Sequence, residues 1–97
     1  MKPIRWAEAA WDEAFHASEY HEAQRTGGGS AFTGRLWDAI QLIRSHPEAG
    51  TPFGLPVRRV LLHGYPYSII YVPEPDEIHI VAVAHQRREP RYWEGRL

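Results

Sequence analysis

The residues best suited to chemistry form two basic clusters, one before residue 60 and one near the C-terminal end of the chain. They are two arginine pairs and the residues around the second pair: Arg58, Arg59, His85, Arg87, Arg88, Arg91, Tyr92 and Trp93. Arginine binds phosphate and carboxylate groups through paired hydrogen bonds, and histidine titrates near neutral pH. Arginine, tyrosine and tryptophan are also enriched in protein interfaces, and aromatic rings stack on bases. These residues are therefore predicted to form a recognition surface, either for phosphate or for a protein.

A structural role for the same residues is the alternative. The arginine pairs could form ion pairs with acidic residues nearby in the sequence: Glu74, Asp76, Glu77 and Glu89. His85 could be a hydrogen-bonded histidine at the end of a strand, holding Tyr92 and Trp93 in place. Ten of the eleven basic residues are arginine, so a general bias toward arginine could also produce the clusters.

The six histidines do not form a metal-binding pattern. His21-Glu22 begins like a zinc-protease helix, but Arg25 stands where the second histidine is required. His79 and His85 share one face of a predicted strand but lie about 20 Å apart at roughly 3.3 Å per residue. The chain has no cysteine, which excludes disulfides and thiolate ligands. No metal ion and no cofactor is therefore expected.

Length and composition predict one globular domain over residues 1–97. Hydrophobic residues make up 43% of the chain, enough for one modest core. The formal net charge of −1 argues against general nucleic-acid binding. No segment has the pattern of a signal peptide or the length of a membrane span. The expectation is a soluble cytoplasmic protein with no membrane partner.

The first half of the chain predicts two helices that pack as an antiparallel hairpin. Small and aromatic residues repeat at helical spacing from Trp6 to about Arg25. A second helix is expected between an N-cap at Ser30 and a stop at His46. The three glycines at 27–29 would form the short link that lets the chain reverse.

The second half predicts a small twisted antiparallel sheet. Strands are expected at 57–63, 67–72 and 77–85, with a short N-terminal edge strand at 2–5. Strict alternation in the last strand would place Ala82 on the same face as Ile80, and Val81 on the other. Both faces are apolar, so the helices should cover one face and the C-terminal tail, a partner or both should cover the other. The order βααβββ gives an α+β fold.

Several segments, taken in order, resemble the RelE/ParE superfamily of type II toxin–antitoxin toxins, and its ParE-like branch in particular. They are the helical segment from Ala14 to Tyr20, the link His46-Pro47-Glu48-Ala49-Gly50, the strand start Val57-Arg58-Arg59, the run Tyr65-Pro66-Tyr67-Ser68-Ile69-Ile70-Tyr71 and the stretch from Val81 to Trp93. The resemblance covers nearly the whole chain. It implies a single RelE/ParE-like domain with a helical hairpin on a small antiparallel sheet. It also implies a bacterial growth-inhibiting toxin that a cognate antitoxin neutralises.

The branch of the superfamily decides the expected activity. ParE-like members poison DNA gyrase and are not known as nucleases, whereas RelE-like members cleave mRNA in the ribosome. Such cleavage needs a general base, a general acid and cations, for which the resemblance suggests these candidates: Arg59, His85, Arg87 and Tyr92. The single lysine, Lys2, and the absence of net positive charge favour the gyrase inhibitor. An mRNA endonuclease is the alternative, and a degenerate toxin that retains only antitoxin binding is a third possibility.

The resemblance also implies two binding surfaces. Target binding is expected at the basic and aromatic residues introduced first: Arg58, Arg59, His85, Arg87, Arg88, Arg91, Tyr92 and Trp93. The antitoxin would contribute an acidic, partly disordered segment that folds on binding. Its site is expected on the second helix: Phe32, Leu36, Trp37 and Ile40. A place in the core is the competing role for these apolar residues, and it is favoured for Leu36 and Ile40.

Overall fold

Two helices and five strands follow one another along residues 1–97, all of which a computed structural model describes. The helices are α1 (Glu8–Gln24) and α2 (Gly28–Ser45). The strands are β1 (Ile4–Trp6), β2 (Thr51–Pro52), β3 (Arg58–Leu61), β4 (Tyr67–Pro73) and β5 (Ile78–His85), and a short 3-10 turn at Glu94–Arg96 ends the chain. The predicted α+β fold is confirmed, and β2 is an additional short strand.

The link between the helices is shorter than predicted, because α2 begins at Gly28 and Ser30 lies inside it. Ser30 is therefore not the N-cap. Gly27 takes that position with φ +87°, a backbone conformation that glycine adopts without steric cost. The carboxylate of Glu22 on α1 accepts hydrogen bonds from the backbone N–H groups of Gly27, at 3.2 Å, and of Gly29, at 3.0 Å. A side chain of the first helix thus caps the start of the second.

The sheet is mixed, because its order is β1-β5-β4-β3-β2 and β1 runs parallel to β5. The other neighbouring strands pair antiparallel. The two helices carry the chain from β1 across one face of the sheet to the opposite edge. Three reversals then bring β5 back beside β1 in the same direction. The prediction of a wholly antiparallel sheet is thereby corrected.

A β-bulge at Val81 changes which side chains of β5 share a face. Ile70 lies opposite Ala82 while Tyr71 lies opposite Ile80, so one extra residue stands in β5. Ile80 packs beneath the helices, whereas Val81 and Ala82 both pack on the other face. The predicted strict alternation, with Ala82 beside Ile80, is therefore wrong.

Apolar clusters lie on both faces of the sheet. The larger one lies between the helices and the sheet, and its most buried members include Phe32, Ile40, Ile43, Ile69, Tyr71, Ile78 and Ile80. The smaller one consists of Val57, Ile70, Val81, Ala82 and Trp93. Trp93 is only 2% exposed. The C-terminal tail, residues 86–97, is therefore the cover of the second face.

His79 on β5 is expected to make the stability of the fold depend on pH. Burial lowers the pKa of His79 below its ordinary 6.5, and the positive charge of Arg5 lowers it further, against an opposing effect of Glu74 and Glu77. The unfolded chain then binds this proton at a higher pH than the folded chain. The free energy of unfolding should therefore decrease as the pH falls below about 6.5. In urea titrations at several pH values, a His79→Gln variant should lack this part of the loss. A constant difference between the two chains would contradict the prediction.

Candidate functional site

The arginine pair on β3 is divided between the two faces of the sheet, because successive side chains of a strand point in opposite directions. The Nη1 of Arg58 donates a hydrogen bond to the carbonyl of Gly50 at 2.8 Å. The guanidinium of Arg59 lies 4.7 Å from the centre of the Phe53 ring, on the side of the tail. Arg58 therefore does not join the predicted target-binding cluster.

The remaining residues of that cluster surround a cavity of about 300 Å³ between β3, the end of β5 and the tail. We call it the tail cavity. Its basic and aromatic lining residues are Phe53, Arg59, His85, Arg88, Arg91, Tyr92 and Trp93. Arg87 is exposed and lies outside this lining. The structure thus brings together six of the eight residues predicted for target binding, and leaves out Arg58 and Arg87.

Aromatic rings, not the carboxylates expected as an alternative, hold the arginines of the tail cavity. The three pairs are Arg59 with Phe53 at 4.7 Å, Arg88 with Tyr92 at 3.9 Å and Arg91 with Trp93 at 4.8 Å from the ring centre. Arg91 also pairs with Glu94 at 3.1 Å. The predicted acidic partners Glu74 and Glu77 instead bind Arg5 of β1. Arg59 and Arg88 therefore keep unpaired positive charges.

His85 has the structural role that the sequence offers as the alternative to a catalytic role. Its Nδ1 accepts the backbone N–H of Arg87 at 3.0 Å, which stabilises the turn after β5. Its ring packs edge-on against Tyr67, with 5.0 Å between ring centres. Because Nδ1 is an acceptor, the proton of the neutral ring lies on Nε2, which remains a hydrogen-bond donor.

The hydroxyl of Tyr92 is bound and keeps its proton. It donates a hydrogen bond to Glu13 Oε2 at 2.7 Å. Burial raises the pKa of Tyr92, and the hydrogen bond to the Glu13 carboxylate raises it further. A tyrosine with a raised pKa does not act as a general base at neutral pH.

Glu13 of α1 fastens the tail, a role that the sequence did not predict. It accepts hydrogen bonds from both terminal nitrogens of Arg96, at 2.9 and 3.1 Å, and from the backbone N–H of Val83 at 3.0 Å. The hydrogen bond to Glu13 raises the pKa of Arg96. The sequence does indicate that Glu13 lies on the inner face of α1, because it stands three residues after Ala10 and four before Ala17, which are both buried.

The four residues predicted for antitoxin binding divide between core and surface. Phe32, Leu36 and Ile40 are 0%, 7% and 1% exposed, so they belong to the core. Trp37 is 55% exposed. The competing core role is thus observed for three of the four, and only Trp37 presents a large apolar surface.

An apolar groove of about 270 Å³ nevertheless lies between the helices, with Leu36 and Ile40 among its lining residues. We call it the helix groove. Its aromatic lining residues are Trp6, Trp11, Phe15 and Trp37. Trp6 and Trp11 pack edge to face at 5.3 Å. Phe15, for which the sequence predicts no binding role, lies one helical turn after Trp11 and is 57% exposed.

Comparison with known families decides the classification. The family model described as the ParE toxin of type II toxin-antitoxin system, parDE, matches residues 4–90. The chain belongs to this ParE toxin family. The match ends before Tyr92, Trp93 and Arg96, so the tail residues that bind Glu13 lie beyond it.

Solved structures support the fold of this ParE-family toxin. It is similar to a chain described as "Chromosomal ParDE TA system from P. aeruginosa", with a TM-score of 0.63 and 19% sequence identity. The similarity covers 88% of this chain and 96% of the other. A search among curated protein sequences finds no significant match.

The ParE-family chain contains neither a cluster of metal ligands nor a membrane-spanning helix. No group of three or more histidine, aspartate or glutamate side chains is arranged to hold a metal ion. Neither helix combines the length and the apolar character needed to cross a membrane.

Proposed function

We propose that this ParE-family toxin inhibits growth by poisoning DNA gyrase and that a cognate antitoxin neutralises it. The observation that carries the proposal is the family match over residues 4–90. Gyrase poisoning is the activity that the resemblance to the ParE-like branch implies, and an antitoxin is the partner that a toxin–antitoxin system requires.

The arrangement around the tail cavity supports a binding role over RNA cleavage. Of the four nuclease candidates, Tyr92 is protonated and bound to Glu13, and Arg87 lies outside the cavity. The Nδ1 of His85 is already engaged by the backbone. Cleavage of RNA requires a free base within hydrogen-bond reach of the ribose hydroxyl. Arg59 and Arg88 remain as unpaired cations, which suit recognition of a partner.

The proposed activity is tested by incubating the purified chain with gyrase and supercoiled plasmid. Accumulation of cleaved plasmid is expected, whereas mRNA in a parallel translating extract should stay intact. An Arg87→Ala, Arg88→Ala double variant should lose at least about 100-fold of the gyrase effect, because each charge-assisted contact contributes about 1.5–3 kcal/mol. An Arg25→Ala, Arg35→Ala variant removes the same charge from exposed positions on the helical side and should retain the effect.

Three other outcomes have distinct meanings. Cleaved mRNA with unaffected gyrase would overturn the proposal in favour of a ribosome-dependent endonuclease. Inactivity in both assays, with normal growth on expression, would indicate a degenerate toxin that retains only antitoxin binding. A gyrase effect that survives the Arg87, Arg88 double replacement would place the target-binding surface elsewhere.

The antitoxin is proposed to bind the helix groove, because this groove presents exposed aromatic rings between the two helices. Aromatic residues at the centre of an interface commonly contribute 2 kcal/mol or more. Trp37→Ala should therefore weaken binding of the cognate antitoxin by roughly 30-fold. Leu42→Ala is the matched control, since Leu42 is an exposed apolar residue of α2 outside the groove. Calorimetric titration of both variants measures the difference, and equal affinities would count against this site.

A further inference from the structure

The helix groove continues at one end into a shallow depression lined by carboxylates and hydroxyl groups. We call this depression the acidic end of the groove. It shares Phe15, Ser18 and Thr33 with the helix groove, and the hydroxyls of Ser18 and Thr33 lie 3.4 Å apart across the gap between the helices. Its other lining residues are Glu19, Glu22, Gly29 and Ser30. The apolar and acidic parts are therefore neighbouring sections of one surface between α1 and α2.

The spacing along α1 places the acidic end directly after the aromatic rings. Trp11, Phe15 and Glu19 follow one another at intervals of four residues, so their side chains lie along one stripe of the helix. Glu22 stands three residues further on, about 16 Å along the helix axis from Trp11. A bound segment of about three helical turns, or an extended one of about five residues, is therefore long enough to contact both parts.

The carboxylates of this surface have no cationic partner in the chain. Glu19 forms no ion pair, and the Glu22 carboxylate accepts hydrogen bonds from the backbone N–H groups of Gly27 and Gly29. No basic residue lines either part of the groove. The exposed charged side chains of the two helices are one arginine, Arg35, and five carboxylates: Glu8, Asp12, Glu19, Glu22 and Asp38. A partner that docks here therefore meets a negative potential around the apolar contact.

This combination of an apolar groove and a negative surround determines the chemistry of the occupant. Apolar side chains are needed to cover the aromatic rings, and a positive charge is needed opposite Glu19, because like charges across an interface weaken binding. We infer, on the basis of the proposed function, that the antitoxin segment in the helix groove carries a lysine or arginine that pairs with Glu19. An acidic segment, which the resemblance implies for the antitoxin, would be repelled at this position.

A second copy of the chain is the other occupant that an apolar groove could accept. In a two-fold symmetric dimer the same patch of each copy faces its equivalent. The carboxylates of one copy would then approach those of the other without a cation between them. The charge of the surface thus favours a different protein that supplies the positive charge, and the antitoxin is the partner already proposed for the groove.

Reversal of one charge tests the sign of the partner. In calorimetric titrations of the full chain with the cognate antitoxin, Glu19→Gln should bind about fivefold more weakly than the wild type, the loss expected for one exposed ion pair. Glu19→Lys should bind at least about 20-fold more weakly, because repulsion replaces attraction. Tighter binding by Glu19→Lys would indicate an acidic segment, and unchanged binding would show that no charge of the partner lies opposite Glu19. Either result would overturn the inferred ion pair.

Glu48→Gln is the matched control for the loss of one carboxylate. Glu48 is exposed, forms no ion pair and lines neither part of the groove, so its replacement should leave the affinity unchanged. Thermal unfolding of Glu19→Lys should match that of the wild type, since the Glu19 side chain has no ion-pair partner to lose. An equal loss of affinity for Glu48→Gln and Glu19→Gln would refute a specific contact at Glu19.

A compensating charge reversal identifies the residue of the partner. Each lysine and arginine of the antitoxin is replaced in turn by glutamate, and each variant is titrated into the wild type and into Glu19→Lys. One of these variants should bind Glu19→Lys at least about tenfold more tightly than the unchanged antitoxin does, because the two charges are then exchanged. If no variant restores binding, the ion pair is refuted.

Trp37→Ala separates failure of the ion pair from failure of the proposed function. Weaker antitoxin binding by Trp37→Ala, without an effect of Glu19→Lys, would retain the helix groove as the site and refute only the ion pair. Absence of any effect of either variant, or of any antitoxin binding, would refute both. Sedimentation velocity of the chain alone tests the second copy, since a dimer that Trp37→Ala dissociates would assign the groove to self-association and overturn the inference.

Discussion

Replacing Gly28 by alanine is expected to reduce the free energy of unfolding by at least about 2 kcal/mol, because it inserts a methyl group between the two helices. A Cβ at Gly28 would lie 2.3 Å from the carbonyl oxygen of His21 and 2.9 Å from its carbonyl carbon. Both are backbone atoms of α1, so no side chain can rotate to make room. Helix α2 must therefore move away from α1. For a domain of this size the unfolding midpoint should fall by roughly 10 °C.

Gly34 provides a matched control in the same helix. A Cβ at Gly34 would have no atom within 4 Å, and the residue is exposed. Gly34→Ala should therefore stabilise the protein by about 0.5–1 kcal/mol, which is the helix preference of alanine over glycine. The two variants differ in the sign of their effect. Urea unfolding followed by circular dichroism measures both, and a stabilising effect of both substitutions would show that the helices do not approach so closely.

The helical hairpin was predictable from the sequence, but the role of its glycines was not. Helical spacing and the glycine run at 27–29 predict two helices with a tight reversal. The run predicts a flexible link, whereas Gly28 and Gly29 lie inside α2 and allow it to touch α1. Glycine serves both purposes equally well. Only the position of α1 in space distinguishes them.

The three strands of the second half were predictable because their apolar residues give a strong local signal. The bulge at Val81 was not, since one unpaired residue in an apolar run leaves no mark in the composition. The parallel pairing of β1 with β5 joins Ile4 to Ile78, which are far apart in the sequence. A local sequence pattern does not indicate which distant strand β1 pairs with.

The sequence predicts which residues belong to the candidate site, but not how they are arranged in space. The sequence identified the arginines and aromatic residues of the tail, but alternation along β3 removes Arg58 and the turn after β5 removes Arg87 from the cavity. Trp93 was expected to contact a partner, and it is instead the buried anchor of the tail. The residue that holds the tail, Glu13, precedes Arg96 by 83 positions. Its partners become apparent only in the folded chain.

Glu13→Ala should have the largest effect of any single substitution outside the core, a loss of about 2–3 kcal/mol in the free energy of unfolding. The change leaves the guanidinium of Arg96 without a counterion. This loss is costly because the side chains of Glu13 and Arg96 are only 17% and 21% exposed. It also leaves the hydroxyl of Tyr92 and the backbone N–H of Val83 without an acceptor. Removal of one partner from a buried pair can cost 3–5 kcal/mol, and partial exposure to solvent reduces that value here.

The matched control is Glu19→Ala, which removes an exposed carboxylate of the same helix that makes no ion pair. Its effect should be within about 0.5 kcal/mol, as for most surface substitutions. Adding Arg96→Met to Glu13→Ala should recover part of the loss, because the unpaired charge is then absent. Urea unfolding measures all three variants, and equal stability of Glu13→Ala and Glu19→Ala would contradict a role for Glu13 in fastening the tail.

Release of the tail has a consequence that global stability alone does not reveal. The tail supplies Arg88 and Arg91 to the tail cavity, so Glu13→Ala should release one wall of that cavity although Glu13 does not line it. Local opening of the tail should also accelerate tryptic cleavage after Arg87 and Arg88 under conditions in which the rest of the fold remains intact. Limited proteolysis with mass spectrometry separates these effects. Faster cleavage confined to the tail would show that Glu13 joins the first helix to the recognition surface, whereas faster cleavage throughout the chain would show a role in global stability only.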